Sequence, residues 1–207
     1  MKDYAIFFAS SSAIRAACPY PEHLRDMGPM AAPYDTMHLV LLEVVLHMWK
    51  LFSGLKLVST KNDEDDIMPR ATVAMIGREL RGARRKVPMA KARSLRSIDV
   101  HIKSFKAADW LHFILCSGKV LLAGRIPDSY FKIFLLLSRA CRLLFRPRGA
   151  TKAKIQKIDK DIKYFVANYC AKIYRGAAER LPLCLSTIAS LLDIVPLLWA
   201  CSPAWVV

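Results

Sequence analysis

The sequence predicts a mainly α-helical protein with little or no sheet, and two segments carry this prediction. Residues 38–52 are apolar at nearly every position and are followed by Gly54, which is typical of a helix buried on almost every side. In residues 151–175, apolar side chains recur with the period of a helix and fall within an arc of roughly 100°. The 207 residues suffice for one core, or for a core with an appendage.

Composition and charge exclude several classes of protein. Hydrophobic residues make up 54% of the chain, which excludes a wholly disordered protein, and eight glycines without a repeat exclude collagen-like and solenoid designs. The 32 Lys and Arg against 17 Asp and Glu give a formal net charge of +15, so the surface attracts polyanions or an anionic membrane face.

Cysteine usage and the N-terminal sequence bear on the cellular compartment. The six cysteines contain no C-x-x-C pair, so we expect buried free thiols rather than a zinc ribbon or a disulfide scaffold. The apolar run 4–9 is shorter than the core of a signal peptide. We therefore expect a nuclear or cytoplasmic protein that is not secreted.

Prolines and glycines divide the chain into successive elements. Residues 1–34 form an irregular lead-in, residues 35–201 a helical region, and residues 202–207 a tail. Within the helical region, an acidic loop at 61–66 precedes a basic, loop-rich segment at 70–106. Gly77, Gly82 and Pro88 argue there against a single long helix, so we expect short helical pieces and exposed loop.

The later elements are predicted from caps and breaks. Ser104 is expected to cap a helix over 107–122 whose apolar side includes Trp110, Phe113, Ile114, Val120 and Leu121. A helix over 130–145 follows, and Thr151 is expected to cap the amphipathic helix, with Lys157, Lys160 and Lys163 opposite its apolar side. A last helix near 183–194 leads into an extended tail.

Candidate catalytic motifs are few. Asp35 precedes the apolar helix, where it fits an N-cap, although a metal ligand is an alternative. His38 and His47 lie about 180° apart around this helix and cannot share a zinc ion, so core or surface histidines are favoured. No G-x-S-x-G elbow or complete P-loop occurs, which gives hydrolase and NTPase functions no support and leaves no small-molecule substrate evident.

Two basic regions are candidates for binding. The segment 70–106 holds eleven basic residues against Glu79 and Asp99, and a segment of this charge neutralises phosphates; the alternative is a solvated loop. The predicted nucleic-acid-binding residues are Arg78, Arg81, Arg84, Arg85, Lys86, Lys91, Arg93 and Arg96. The basic amphipathic helix suits an anionic membrane or, alternatively, an ordinary core. A membrane anchor at 181–207 is opposed by Asp193 and three prolines, so we expect no membrane partner.

Four blocks give the chain a resemblance to a known family. They are 33–40 (PYDTMHLV) with 49–54 (WKLFSG), 105–110 (FKAADW), 122–131 (LAGRIPDSYF) and 196–205 (PLLWACSPAW). In this order they resemble four blocks of the fungal CACTA-like transposases of the En/Spm type: a D-x-M-H block, an F-x-A-A-E-W helix start, an L-P-x-x-Y-F junction and a G-P-x-W block. Ser202 stands where this family prefers Gly.

The resemblance implies a fold and a chemistry. It implies an RNase H-like core in which three carboxylates hold two Mg²⁺ or Mn²⁺ ions that cut and join DNA, with an all-α insertion that the helices after Asp35 resemble. Asp35 matches the family's second aspartate and His38 the histidine beside it. The family's first aspartate and its glutamate have no counterpart here, so we expect a truncated product that binds no metal cofactor and is inactive as it stands.

Three functions are compatible with this expectation. The first is a transposase-derived protein with residual binding to DNA or to a full-length transposase. The second is a DNA-binding or interaction protein recruited by the host from the same ancestor. The third is a small membrane-anchored protein using residues 181–207.

Overall fold

The computed structural model describes residues 35–55, 67–83, 96–146 and 151–200, with the backbone alone at 199–200. Regular structure within these ranges is entirely helical, which confirms the mainly α prediction. The predicted lead-in at 1–34, the acidic loop at 61–66 and the tail at 202–207 lie outside the described residues.

The described residues form seven helices, several of which change type along their length. We number them as follows: α1, π-helical at His38–Val45 and α-helical at Leu46–Phe52; α2, Arg70–Ala83; α3, Ile98–His101, with a 3-10 turn at Ile102–Ser104; α4, Ala107–His112, π-helical Phe113–Ser117 and Gly118–Leu122; α5, Asp128–Leu144; α6, Lys152–Asn168 and π-helical Tyr169–Tyr174; α7, Ser186–Ser190, Leu191–Asp193 and Ile194–Ala200. A further 3-10 turn, Ala178–Leu183, joins α6 to α7.

Helix α1 lies in the centre of the core, as its apolar sequence predicts. The Trp49 ring meets Phe113 of α4 edge to face at 5.4 Å, and Phe52 stacks on Tyr130 of α5 at 6.2 Å. His47 is buried, and its Nε2 lies 2.6 Å from the Tyr169 hydroxyl, which donates to the Leu183 carbonyl. This single helix therefore contacts α4, α5 and α6.

Helices α4, α5 and α6 pack as consecutive antiparallel neighbours. The Ser138 hydroxyl donates to the carbonyl of Ile114, 2.7 Å away, within the π-helical turn of α4. A Cβ on Gly118 would lie 2.7 Å from the Phe134 ring, so glycine permits the close approach of α4 and α5. Across the other interface, Arg139 of α5 forms a 2.6 Å ion pair with Asp161 of α6.

The amphipathic character of α6 is confirmed. All of the predicted apolar positions are buried, namely Ile155, Ile158, Ile162, Phe165, Val166, Tyr169 and Ile173. Lys157, Lys160 and Lys163 are exposed on the opposite side. Thr151 occupies the N-cap position, but its side chain makes no capping hydrogen bond, so the predicted cap is correct only in position.

The predicted Ser104 cap of α4 is wrong. Its hydroxyl donates instead to the His101 carbonyl, and the residue before the helix is Lys106, whose amide donates to the Asp109 carboxylate at 2.8 Å. Phe105 and Trp110 flank this turn with ring centroids 5.1 Å apart, an arrangement known as a hydrophobic staple. Burial of these two rings fixes where the helix begins, and Ser104 lies two residues before the N-cap position.

Two further expectations, for Val120 and for the chain after residue 194, are also wrong. Val120 is 77% exposed, because it lies on the outer side of α4 rather than on the side that faces α1 and α5. The predicted extended tail after 194 is helical as far as Ala200. Pro196 lies within α7, shortly after the 3-10 turn Leu191–Asp193, where the helix changes type. No helix within the described ranges is long and apolar enough to cross a membrane.

Candidate nucleic-acid interface

The structure describes residues 70–83 and 96–106 of the predicted basic segment, and helix α2 contains most of the arginines in these two parts. It buries Ile76 and Leu80 and exposes Arg70, Arg78 and Arg81. At about 100° per residue, the three arginines fall within an arc of roughly 80°, which is separate from the side that buries Ile76 and Leu80 and borders the position of Gly77. The sequence thus forms one arginine face on α2, which we call the α2 face.

Contacts with α3 and with the α4–α5 connection hold α2 in place. Gly77 is buried against α3, where a Cβ would overlap the Asp99 carboxylate. Glu79 accepts two hydrogen bonds from Arg125, both 2.8 Å long. The hydrogen bond from Arg125 lowers the pKa of Glu79, with burial opposing the shift. Because this pair is partly exposed, it contributes little stability. It does neutralise Glu79, the acid next to Arg78 in the sequence.

The remaining predicted contacts of the basic segment fall in two groups. Arg96 is exposed before α3, and its guanidinium lies 3.3 Å from the Ser104 hydroxyl, to which it donates. Arg84, Arg85, Lys86, Lys91 and Arg93 lie outside the described residues. The structure therefore places Arg78, Arg81 and Arg96 on exposed surface.

A second exposed basic surface lies on α6. Lys163 pairs with Asp159 one turn earlier, at 2.6 Å, and the Lys160 ammonium lies 5.8 Å from the centre of the Tyr164 ring. Tyr164 is itself 52% exposed. Lysines beside an accessible ring are typical of surfaces that bind phosphates and stack on bases.

Asp35 caps α1. Its Oδ1 accepts the amides of Met37 and His38 at 2.9 and 3.1 Å, and its carbonyl accepts the amide of Leu39. These are the bonds of an N-cap, which is the preferred of the two predicted roles. His38 is exposed in the first turn, whereas His47 is buried against Tyr169, so the two histidines do not meet.

The surroundings of Asp35 do not fit the two-metal site that the resemblance implies. Such a site needs several convergent carboxylates to neutralise two divalent ions. In the part of the chain that the structure describes, no three His, Cys, Asp or Glu side chains converge on a point where they could hold a metal ion.

The ion pair of Asp161 with Arg139 was not predicted from the sequence. Asp161 is 2% exposed and lies between buried Ile158 and Ile162, and its bond to Arg139 spans the α5–α6 interface. An acid within an apolar helical face indicates that a cation from a neighbouring helix pairs with it, and this signal is present in the sequence. The sequence could not identify Arg139 as that cation.

The described cysteines are free thiols with different environments. Cys141 is fully buried, and burial raises its pKa from about 9 to about 12; Cys170 is half-buried with its pKa raised to about 11 for the same reason. Cys184 is half-buried and Cys116 exposed, so burial of all thiols is not observed.

Comparisons with known proteins do not identify a relative. No family model matches the chain, and no curated protein and no solved structure is significantly similar to it.

Proposed function

We propose that the chain is a transposase-derived, DNA-binding helical protein that does not cut DNA by itself. The observation that carries the proposal is the α2 face, on which Arg70, Arg78 and Arg81 are exposed together on a helix that buries Ile76, Gly77 and Leu80. The four sequence blocks supply the suggested ancestry, including a fungal source, an all-α insertion of an RNase H-like transposase, and action in the nucleus beside a full-length transposase.

Electrostatics favours DNA as the partner of this face. Each phosphate neutralised by Lys or Arg releases counterions from the duplex, and this release supplies most of the sequence-independent affinity. Arginine is suited to the task because its guanidinium forms paired hydrogen bonds with phosphate oxygens. A helix held by buried Ile76 and Leu80 and by the contact of Gly77 with α3 presents these guanidinium groups without a backbone ordering cost.

Two features of the blocks support binding without cleavage. Asp35 accepts the amides of the first turn of α1, and within the described residues it belongs to no group of three His, Cys, Asp or Glu side chains that could hold a metal ion. The block at 105–110 supplies the staple and the capping acid of α4, so its residues have a structural role.

Salt-dependent binding to a labelled DNA duplex tests the proposal. We expect the logarithm of the association constant to fall linearly with the logarithm of salt concentration, with a slope of about −0.9 per phosphate contacted. Replacing Arg70, Arg78 and Arg81 by Gln should make the slope less steep by about 3. The matched control replaces the same three residues by Lys, which keeps the charge. Absence of salt-dependent binding by the unmodified chain would overturn the proposal.

A nuclease assay tests the statement about catalysis. The purified chain is incubated with supercoiled DNA and Mg²⁺ or Mn²⁺, and we expect no strand cleavage above that of the Asp35→Asn variant. Cleavage that depends on Asp35 would show that the chain is a catalyst.

A further inference from the structure

Three neighbouring helices carry exposed or half-buried cations that are separate in sequence from the α2 face. They are Lys119 of α4, Arg139 and Arg142 of α5, and Lys157 and Lys160 of α6, and we call this set the basic belt. Gly118 of α4 lies against Phe134 of α5, and Arg139 of α5 bonds to Asp161 of α6, so the set is carried by adjoining helices. Of this set, only Lys157 and Lys160 were grouped from the sequence, together with Lys163.

The α4–α5 half of the belt is a pair of like charges. Arg142 is exposed and Lys119 half-buried. Lys119 follows Gly118, which lies against the Phe134 ring of α5, and Arg142 lies one turn after Ser138, whose hydroxyl bonds to α4. In keeping with this placement, the pKa of Lys119 is lowered first by burial and second by repulsion from Arg142, while Cys116 acts in the opposite direction. Two adjacent cations that repel each other are stabilised when an anion binds between them.

The α5–α6 half of the belt is fixed by the buried ion pair. Asp161 holds the Arg139 guanidinium, whose side chain is 59% exposed, at the junction of the two helices. Lys157 lies one turn before Asp161 on the same side of α6, and Lys160 directly precedes Asp161 and packs over the Tyr164 ring. The carboxylate itself is 2% exposed, so it orients Arg139 from below while the surface stays cationic.

We propose that the basic belt is a second contact surface for the phosphate backbone of duplex DNA. This inference rests on the proposed function and adds a site to it. Neighbouring packed helices lie about 8–10 Å apart, so a belt across three of them extends for about 20 Å. An extended row of this length suits a polymer of phosphates, because a single small anion could neutralise only one part of it.

The test combines a belt variant with the α2 variant described above. Lys119→Gln, Arg142→Gln and Lys157→Gln are introduced together, and Arg139 is left in place because it holds Asp161. We expect the salt slope for duplex binding to become less steep by about 3, and the affinity at 0.1 M salt to fall about eightfold for each cation removed. Controls are the charge-retaining Lys119→Arg, Arg142→Lys and Lys157→Arg variant, and Lys172→Gln, which removes an exposed lysine outside the belt.

A second measurement does not depend on the stability of the variant. Amine-reactive labelling of the unmodified chain, followed by mass spectrometry, should show that DNA protects Lys157 and Lys160 but not Lys172. Unchanged binding by a folded belt variant, or equal labelling of Lys157 with and without DNA, would overturn the belt as a contact surface. If the α2 variant still lost binding in that case, the proposed function would stand. An unmodified chain without salt-dependent binding would overturn both.

Discussion

The carboxylate of Asp35 illustrates how one side chain fits both a structural and a chemical role until its hydrogen bonds are known. Its sequence position allows a metal ligand and an N-cap, and the two amides that donate to Oδ1 show that it is the cap. A cap can be exchanged for a neutral residue with a suitable oxygen, such as Ser, whereas a two-metal site needs the negative charge of its carboxylates.

Substitution of Asp35 separates these roles. We expect Asp35→Ala to lower the free energy of unfolding by about 0.5–2 kcal/mol, and Asp35→Ser to lower it by less, because a serine hydroxyl also accepts from the first-turn amides. Urea unfolding followed by circular dichroism measures both. A Ser variant as unstable as the Ala variant would contradict the capping role.

The Arg139–Asp161 pair gives a second test on individual side chains. Within the described residues, Arg139 is the one hydrogen-bond partner of Asp161, whose Oδ2 has none. Arg139→Met should therefore cost about 1–3 kcal/mol of stability, towards the lower end because Arg139 is largely exposed. The double variant Arg139→Met with Asp161→Leu should recover much of the loss, since no unpaired charge remains buried. Urea unfolding of the single and double variants measures this recovery. Additive losses in the double variant would contradict it.

The helices show which features of the fold follow from the sequence. The bounds of α1, α5 and α6 follow from apolar periodicity and from flanking proline and glycine, because these signals are local. The start of α4 depends on the contact between Phe105 and Trp110, which a search for polar caps does not detect. The π-helical turns, such as Phe113–Ser117, depend on packing against neighbouring helices, for example the Ser138 bond to Ile114.

The candidate interface divides in the same way. The sequence was sufficient to predict the lysines on one side of α6, since charge and helical phase are both local properties. For 70–106 it predicted the basic charge but only short helical pieces and exposed loop, so the α2 face was not predicted. It was also insufficient to group Lys119, Arg142 and Lys157, because these residues are brought to adjoining helices by the packing of α4, α5 and α6.

The two glycines of α2 provide a test of helix packing. Gly82 has open space around it, so Gly82→Ala should stabilise the protein by up to about 1 kcal/mol through helix propensity alone. Gly77→Ala should destabilise it, because the added methyl group overlaps the Asp99 carboxylate that Ser97 holds by a 2.6 Å hydrogen bond.

The Gly77 effect has its own control. In an Asp99→Ala background the overlap is gone, and Gly77→Ala should then behave like Gly82→Ala. Thermal unfolding of the four variants measures these differences, and equal effects of the two glycine substitutions in the unmodified background would show that α3 does not pack against Gly77.

For the molecule as a whole, buried acids that are protonated in the folded state set the dependence of stability on pH. Burial raises the pKa of Cys141 to about 12 and that of Cys170 to about 11, and it raises the pKa of Tyr169 as well. These groups lose their protons more readily when the chain is unfolded. Their contribution to stability is therefore complete below pH 9, the ordinary pKa of a thiol, and is lost as the pH rises towards the folded values.

We expect the urea midpoint to change little between pH 7 and 8.5 from these groups and to fall steeply above pH 9. Each group that is ionised only in the unfolded state contributes about 1.4 kcal/mol per pH unit. Cys141→Ala should start from a lower stability, because it leaves a cavity, but should show a shallower decline. An identical decline in the Cys141→Ala variant would contradict this account.

The central position of α1 has a consequence for synthesis on the ribosome. His47 and Tyr169, which meet in the finished core, are 122 residues apart, and the aromatic partners of Trp49 and Phe52 also come later in the chain. At about 5–20 residues per second, His47 is made roughly 6–25 s before Tyr169. During that interval the most apolar helix lacks its partners, so we expect mutations that weaken α6 to cause aggregation of newly made chains before they change the finished protein.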